Sequence, residues 1–293
     1  PCHEIIAMTP QQLVQEVTQL FTLPDVAIRL NELLAAPDSS PLEVVELVQL
    51  DPALAATVLK LANSAYYGRA SQVDTVTRAL AVIGERELQV MAMATAVTKA
   101  FKGLPTRLVD MESFWDNSVT CGVIARLLGR RCRIRGSEQL FLAGLLHAVG
   151  KLVFYARKPD EYYALLAAAE ALDEGSLAVA ERRIFGFDSA SLGAELLKAW
   201  QLPAMLQVLV ACQQRPGEAA DFARQAALLH VATRLAAGLS PTLKGAPQSA
   251  AIDPVAWAAL GLDEAVLPEI LQEAGLQAIE ILSIINPGAA VIY

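Results

Sequence analysis

The sequence predicts an all-α protein. Ala and Leu, both strong helix formers, dominate it, and only 6% of its residues are aromatic. Apolar residues recur at helical spacing along almost the whole chain. No stretch alternates with period two for long enough to build a sheet, and Val73–Val76 and Ala289–Tyr293 are the only strand-like pieces.

Taken in order, the spacing predicts helices over residues 9–21, 25–36, 41–49, 52–64, 75–83, 85–101, 110–131, 137–157, 159–172, 176–185, 189–200, 203–213, 219–238, 254–261 and 264–285. Several starts are marked. Ser40-Pro41-Leu42-Glu43 reads as a capping box with proline at the first helical position. Asp51-Pro52 repeats the cap-then-proline device, and the helix after it carries Leu54, Val58, Leu61 and Ala62 on one face. Asp110 and Glu112 suit a helix N-terminus, where carboxylates complement the dipole. Two seams interrupt the pattern, at Lys102–Thr106 and at Leu239–Asp253. They divide the chain into an N-terminal helical lobe over 9–105, a central helical bundle over 106–240 and a C-terminal helical appendix over 241–293.

Composition narrows the function. With 54% hydrophobic and 18% charged residues the chain has ample material for a core. A net charge of −8 argues against direct nucleic-acid binding, which needs basic surface to displace counterions. The most apolar stretch, Leu140–Ala156, is interrupted by His147 and Lys151 and falls short of a membrane span. Cys2, Cys121, Cys132 and Cys212 show no CxxC spacing, which fits free thiols in a reducing cytoplasm. The start at Pro1 reads as a processed product or an excised fragment, with an upstream domain outside it.

Chemistry has few candidates. There are three histidines, His3, His147 and His230. His3 falls in a terminus and His230 in an apolar helix. No GxGxxG or Walker-type loop occurs. Ser64, Ser118 and Ser189 lack an evident base, while Cys121 and Cys212 read as small core residues. His147 lies in Leu145-Leu146-His147-Ala148-Val149-Gly150-Lys151-Leu152. This resembles the His-Asp-Ile-Gly-Lys-Leu segment of the HD phosphohydrolase superfamily, whose His and Asp bind a divalent metal that activates water.

Further motifs narrow the resemblance to the HD-related output domain, or HDOD, family. These are Leu50-Asp51-Pro52, Leu59-Lys60-Leu61-Ala62-Asn63-Ser64-Ala65-Tyr66-Tyr67-Gly68, Thr77–Gly84, Phe185–Ser189, Leu192–Leu197 and Trp200-Gln201-Leu202-Pro203. They span most of residues 15–240 in the family's order. The resemblance implies an HDOD-like fold, in which an N-terminal helical lobe packs on a degenerate HD-type bundle. Where it would place metal ligands, this chain has Asn117, Ala148 beside His147, Ser189, Gln213, Gln214 and Thr233. Neutral amides, hydroxyls and a methyl cannot offset the dehydration of a divalent cation. The expectation is therefore no metal, no cofactor and no catalysis. His147 is then either a lone ligand or a helix residue bonded to a neighbour.

The surfaces leave alternatives open. Asn63, with Ser64 in the family's signature, either takes a left-handed terminal position or satisfies backbone groups at the turn; a ligand role is the alternative. Tyr66 or Tyr67 could face a partner. Arg126, Arg130, Arg131, Arg133 and Arg135 form a local basic cluster. It would receive phosphate or an acidic partner, or else it is a solvated helix end whose cations complement the dipole. The segment from Val266 to Ile285, with Leu267, Ile270, Leu271, Leu276, Ile279, Leu282 and Ile285, would dock on the bundle or pair with another helix. The resemblance implies a bacterial signalling module whose partners are other signalling proteins, with no membrane. A small phosphorylated ligand in the old pocket, and a residual phosphohydrolase acting on a nucleotide or phosphoester, are the alternatives.

Overall fold

The computed structural model describes residues 9–18, 21, 23–36, 38–64, 67, 72–101, 104, 110–168, 174–239 and 252–285. Among the described residues the chain is helical and without strands. The region expected to form the N-terminal lobe holds α1 (Pro10–Thr18), α2 (Asp25–Ala35), α3 (Pro41–Gln49), α4 (Pro52–Ala62), α5 (Val76–Ile83) and α6 (Glu85–Ala100), of which α1 packs instead on the later helices Val149–Arg157 and Ser189–Ala199. The bundle follows with α7 (Met111–Arg131), α8 (Ser137–Leu146), α9 (Val149–Arg157), α10 (Pro159–Ala168), α11 (Glu174–Phe185), α12 (Ser189–Ala199), α13 (Ala204–Cys212) and α14 (Ala223–Leu239). The last two helices are α15 (Pro254–Leu260) and α16 (Leu267–Ile285).

The expected caps are present. Ser40 N donates to Glu43 Oε2 at 2.9 Å, and Glu43 N donates to Ser40 Oγ at 3.3 Å. Asp51 Oδ1 accepts from Ala53 N and Leu54 N, and Asp110 Oδ1 from Glu112 N. These bonds satisfy donors that have no partner within the helix.

α7 is the organising element. Every residue from Ser118 to Gly129 is buried, because α8, α14 and α16 all pack against it. α6 touches α8, and α16 reaches α4 and α6, so the lobe, the bundle and α16 share one core. Most of both sequence seams lies outside the described residues. The apolar window within Ser137–Arg157 is 78% buried inside this core, which accounts for its hydropathy without a membrane.

Three expectations change. The helix predicted over 137–157 is broken at His147–Ala148 into α8 and α9. Val73 joins no strand, since its backbone pairs with a side chain. α16 docks on the bundle, but with a rotated face. Ile270, Ala274, Ala278, Ile281, Ile284 and Ile285 are buried, whereas Leu276 and Ile279 are 70% and 64% exposed. The small Ala274 and Ala278 form the contact seam in their place. Ala289–Tyr293, His3, Cys2 and Tyr66 lie outside the described residues.

Candidate functional site

The break between α8 and α9 builds the centre. His147 Nδ1 lies 2.6 Å from Gly144 O. A carbonyl only accepts, so Nδ1 carries the hydrogen and Nε2 is left as the acceptor. The break frees the His147 carbonyl from helical bonding, and Gln213 Nε2 donates to it at 2.7 Å. The Gln213 carbonyl in turn accepts from His230 Nδ1 at 2.8 Å, and His230 Nε2 accepts from Asp253 N at 3.1 Å. Thr233 Oγ1 donates to His230 O at 2.7 Å. Gln214 Oε1 accepts from Arg234. His147, Gln213 and Thr233, predicted from motif spacing, are joined through His230 in one hydrogen-bonded set, and Gln214 bonds Arg234 instead.

Ala148 is buried in the break and supplies only a methyl. Ser189 sits beside the set. Its N–H and hydroxyl both donate to Glu181 Oε2, at 2.7 and 2.9 Å. Asn117 makes no bond to any of them, and its buried Oδ1 has no hydrogen-bond partner among the described residues.

Charged groups that the sequence reading passed over dominate the electrostatics. Lys151 Nζ donates to Glu174 Oε1 at 2.6 Å. Burial works against the Lys151 ammonium, but the charge and hydrogen bond of Glu174 outweigh it and leave the pKa above its usual value. Burial likewise opposes the Glu174 carboxylate, and Lys151, His147 and Arg234 reverse the effect and hold it below the ordinary range. Burial pushes His147 down to about 4, against the raising effects of the Gly144 carbonyl and Glu174. Glu181, fully buried, is raised by desolvation although Ser189 and Tyr162 donate to it. The Arg234 charge acts on His147, His230 and Glu174 together. Lys151 was visible within the His-x-x-Gly-Lys segment. Glu174 lies 23 residues further on, and no spacing rule joins the two.

Gly150 explains the glycine of that segment. A Cβ there would lie 1.8 Å from Ser189 O and 2.5 Å from Gly193 N, so α9 and α12 meet backbone to backbone. Such an approach needs residues without a side chain.

A divalent metal does not fit this donor set. The side chains around His147 are amides, hydroxyls, a methyl, two organic cations and one carboxylate, Glu174, which is already paired with Lys151. Among the described residues no three His, Cys, Asp or Glu side chains are grouped to hold an ion. What the arrangement does chemically is bind itself, through a neutral imidazole, a lysine–carboxylate pair and an arginine.

The signature residues lie at helix ends and corners. Asn63 has φ −96° and ψ 1°, which is not left-handed. Its side chain donates to Leu59 O at 2.8 Å and Val73 O at 2.7 Å, and accepts from Val73 N at 2.7 Å. Of its two structural readings, the second holds. Ser64 Oγ is buried without a partner among the described residues. Trp200 and Pro203 form the α12–α13 corner, with the Trp200 ring 5.9 Å from Phe101. Tyr67 is half-buried and bonds Glu87.

The basic cluster separates. Arg126 is fully buried, bonded to Glu87 at 2.8 Å and Gln277 at 3.1 Å, with its guanidinium 5.1 Å from the Phe141 ring centre. It is enclosed there by Glu87 of α6, Phe141 of α8 and Gln277 of α16. Arg131 pairs with Glu269 of α16 at 2.8 Å. Arg130, Arg133 and Arg135 are exposed, and Arg130 and Arg131 lie in the last turn of α7.

The fold and this centre define an all-α domain of the kind the motifs suggested. The HDOD domain profile matches residues 20–216, more than half of the chain. The chain belongs to the HDOD domain family. Solved structures agree in fold. An HDOD domain protein with unknown function from Geobacter sulfurreducens superposes with a TM-score of 0.76 at 22% identity, covering 93% of this chain and 98% of that one. A "putative phosphohydrolase" from Shewanella amazonensis gives 0.74 at 27% identity, covering 93% and 97%. A "putative signal transduction protein" from Marinobacter aquaeolei gives 0.69 at 24% identity, covering 97% and 66%. An uncharacterized protein of Treponema pallidum is 23% identical over 197 residues, 65% of this chain but only 37% of its own length.

Proposed function

We propose that the chain is a non-catalytic regulatory module, acting by protein or ligand binding as one part of a cytoplasmic bacterial signalling or response-regulator protein. The observation that carries this is the content of the centre. Where the HD resemblance expects metal ligands, the chain has Asn117, Ala148, Ser189, Gln213, Gln214 and Thr233, and Lys151 and Glu174 neutralise each other beside a neutral His147. The three-part division into lobe, bundle and appendix belongs to this reading, with helix displacement as the output. The signal transduction name of the Marinobacter protein supports it.

A second reading, a residual metal-dependent phosphohydrolase, draws on the name of the Shewanella protein. Elemental analysis of the purified chain, with turnover assays on nucleotide and phosphoester panels, separates the two. The expected result is no stoichiometric divalent metal and no hydrolysis. One retained ion per chain, lost together with hydrolysis in His147→Ala, would overturn the proposal.

A further inference from the structure

α2 and α3 pack side by side and leave an open cleft of about 610 Å³ between them. Its floor is apolar, formed by Leu33, buried Leu47 and Leu50. Leu50 is 66% exposed, and Leu42, on the same helix, is 65% exposed. The rim carries Glu32 from α2 with Glu43 and Glu46 from α3, against the single cation Arg29. Glu43 is already committed to capping α3. Arg29, Glu32 and Glu46 are solvent-exposed, and none has an ion-pair or hydrogen-bond partner among the described residues. An exposed leucine beside a half-buried one, ringed by carboxylates in excess of cations, marks a recognition groove rather than a core.

From these features we infer that the α2–α3 groove is a docking site for a cationic amphipathic helix of a partner protein. Charge decides the class of occupant. Three carboxylates against one guanidinium repel phosphate, which turns away nucleic acid and anionic lipid alike. Apolar residues at i, i+3 or i+4 of a docked helix would cover Leu33 and Leu50. Lysine or arginine flanking them would face Glu32 and Glu46. The net charge of −8 would draw such a segment in from a distance. The site lies in the N-terminal lobe, away from His147, so it stands whether or not that centre holds metal.

The test is selection of a displayed library of helical 14-residue peptides against the full chain, counter-selected on Glu32→Lys/Glu46→Lys. Both residues are exposed and unpaired, so the variant is expected to melt as the parent does, which circular dichroism checks. Enriched peptides should carry Leu or Ile at helical spacing with flanking Lys or Arg. By fluorescence anisotropy they should bind the variant at least about tenfold more weakly, and the parent more weakly as salt rises. A further variant, Leu50→Asp, should also weaken them. Enrichment without a basic bias, equal affinity for parent and variant, or no enrichment at all would each overturn the inference. So would binding of the parent chain to anionic lipid vesicles that Leu50→Asp abolishes.

Discussion

Glu87→Gln should be among the costliest single-atom-scale changes in the molecule. Glu87, on α6, is 5% exposed, and its partner Arg126, on α7, is 0% exposed. Their contact at 2.8 Å continues through Arg126 to Gln277 on α16. An arginine cannot shed its charge at any accessible pH. Replacing the carboxylate by an amide therefore strands a buried cation, at a cost of about 3–5 kcal/mol. Arg126→Met behaves differently, because Glu87 can respond. Burial already raises its pKa, and Arg126 is the largest opposing influence. Without Arg126 the carboxyl would take up a proton. The unfolded carboxyl, near its ordinary value, binds fewer protons than the folded one in the window above it. The folded state then loses stability as pH rises, by up to about 1.4 kcal/mol per pH unit until the raised pKa is passed. Urea unfolding followed by tryptophan fluorescence at pH 5 and pH 8 measures both. The penalty for Arg126→Met should be larger at pH 8, and that for Glu87→Gln smaller at pH 8 than at pH 5, because the raised Glu87 pKa makes the parent itself lose stability over that window. The double variant should cost at least about 2 kcal/mol less than the sum of the singles. Additive singles, or a Glu87→Gln cost below about 1 kcal/mol, would refute the reasoning.

Other outcomes follow from single contacts. Asn63→Ala removes three bonds to backbone groups of Leu59 and Val73 and should cost about 2–3 kcal/mol in chemical denaturation. Asn63→Asp, which sets a carboxylate oxygen where Nδ2 donates to two carbonyls, should cost at least as much at neutral pH. Gly150→Ala must separate two backbones at Ser189 and Gly193 and should cost at least about 3 kcal/mol. Gly217→Ala, with open space around it, should be near neutral. His147 titrates near 4 when folded and near 6.5 when unfolded. The unfolded state therefore binds more protons between those values, and stability is lost as pH falls from 6.5 through 4. The full shift corresponds to about 3 kcal/mol, and water reaching the partly exposed ring reduces it. A pH series comparing the chain with His147→Gln checks this, and identical slopes would contradict it.

The helices were legible because their ends are local. Ser40 with Glu43, Asp51 with Pro52, and Asp110 are read within four residues, and the structure uses each as a cap. The break at His147–Ala148 was not legible. Residues 140–146 are buried all round, so no periodicity survives there to signal an end. The break is held from outside by Gln213. The basic cluster misled in the same manner. Arg126 and Arg130 are neighbours in sequence, yet one is buried against Glu87 and the other is exposed. The centre was half visible. Motif order found His147, Gln213, Gln214 and Thr233, but Glu174 and Arg234 carry no motif and gain meaning only from what surrounds them.

A divalent ion in a helical hydrolase does two jobs, ligating water and cross-linking helices. In this chain the second job is done by other means. Lys151 to Glu174 joins α9 to α11, Gln213 to the His147 carbonyl joins the end of α13 to the α8–α9 break, and His230 joins α14 both to Gln213 and to the segment leading into α15. These groups are bonded within the protein, and the acceptors left over in this region among the described residues are His147 Nε2 and the Asn117 amide oxygen. Most of the unspent interaction capacity lies at the surface, on exposed leucines and unpaired carboxylates. On this argument a change in binding state reaches the centre only by moving helices. The buried Arg126 links α6, α7 and α16, and is the place where such a movement would be resisted or transmitted.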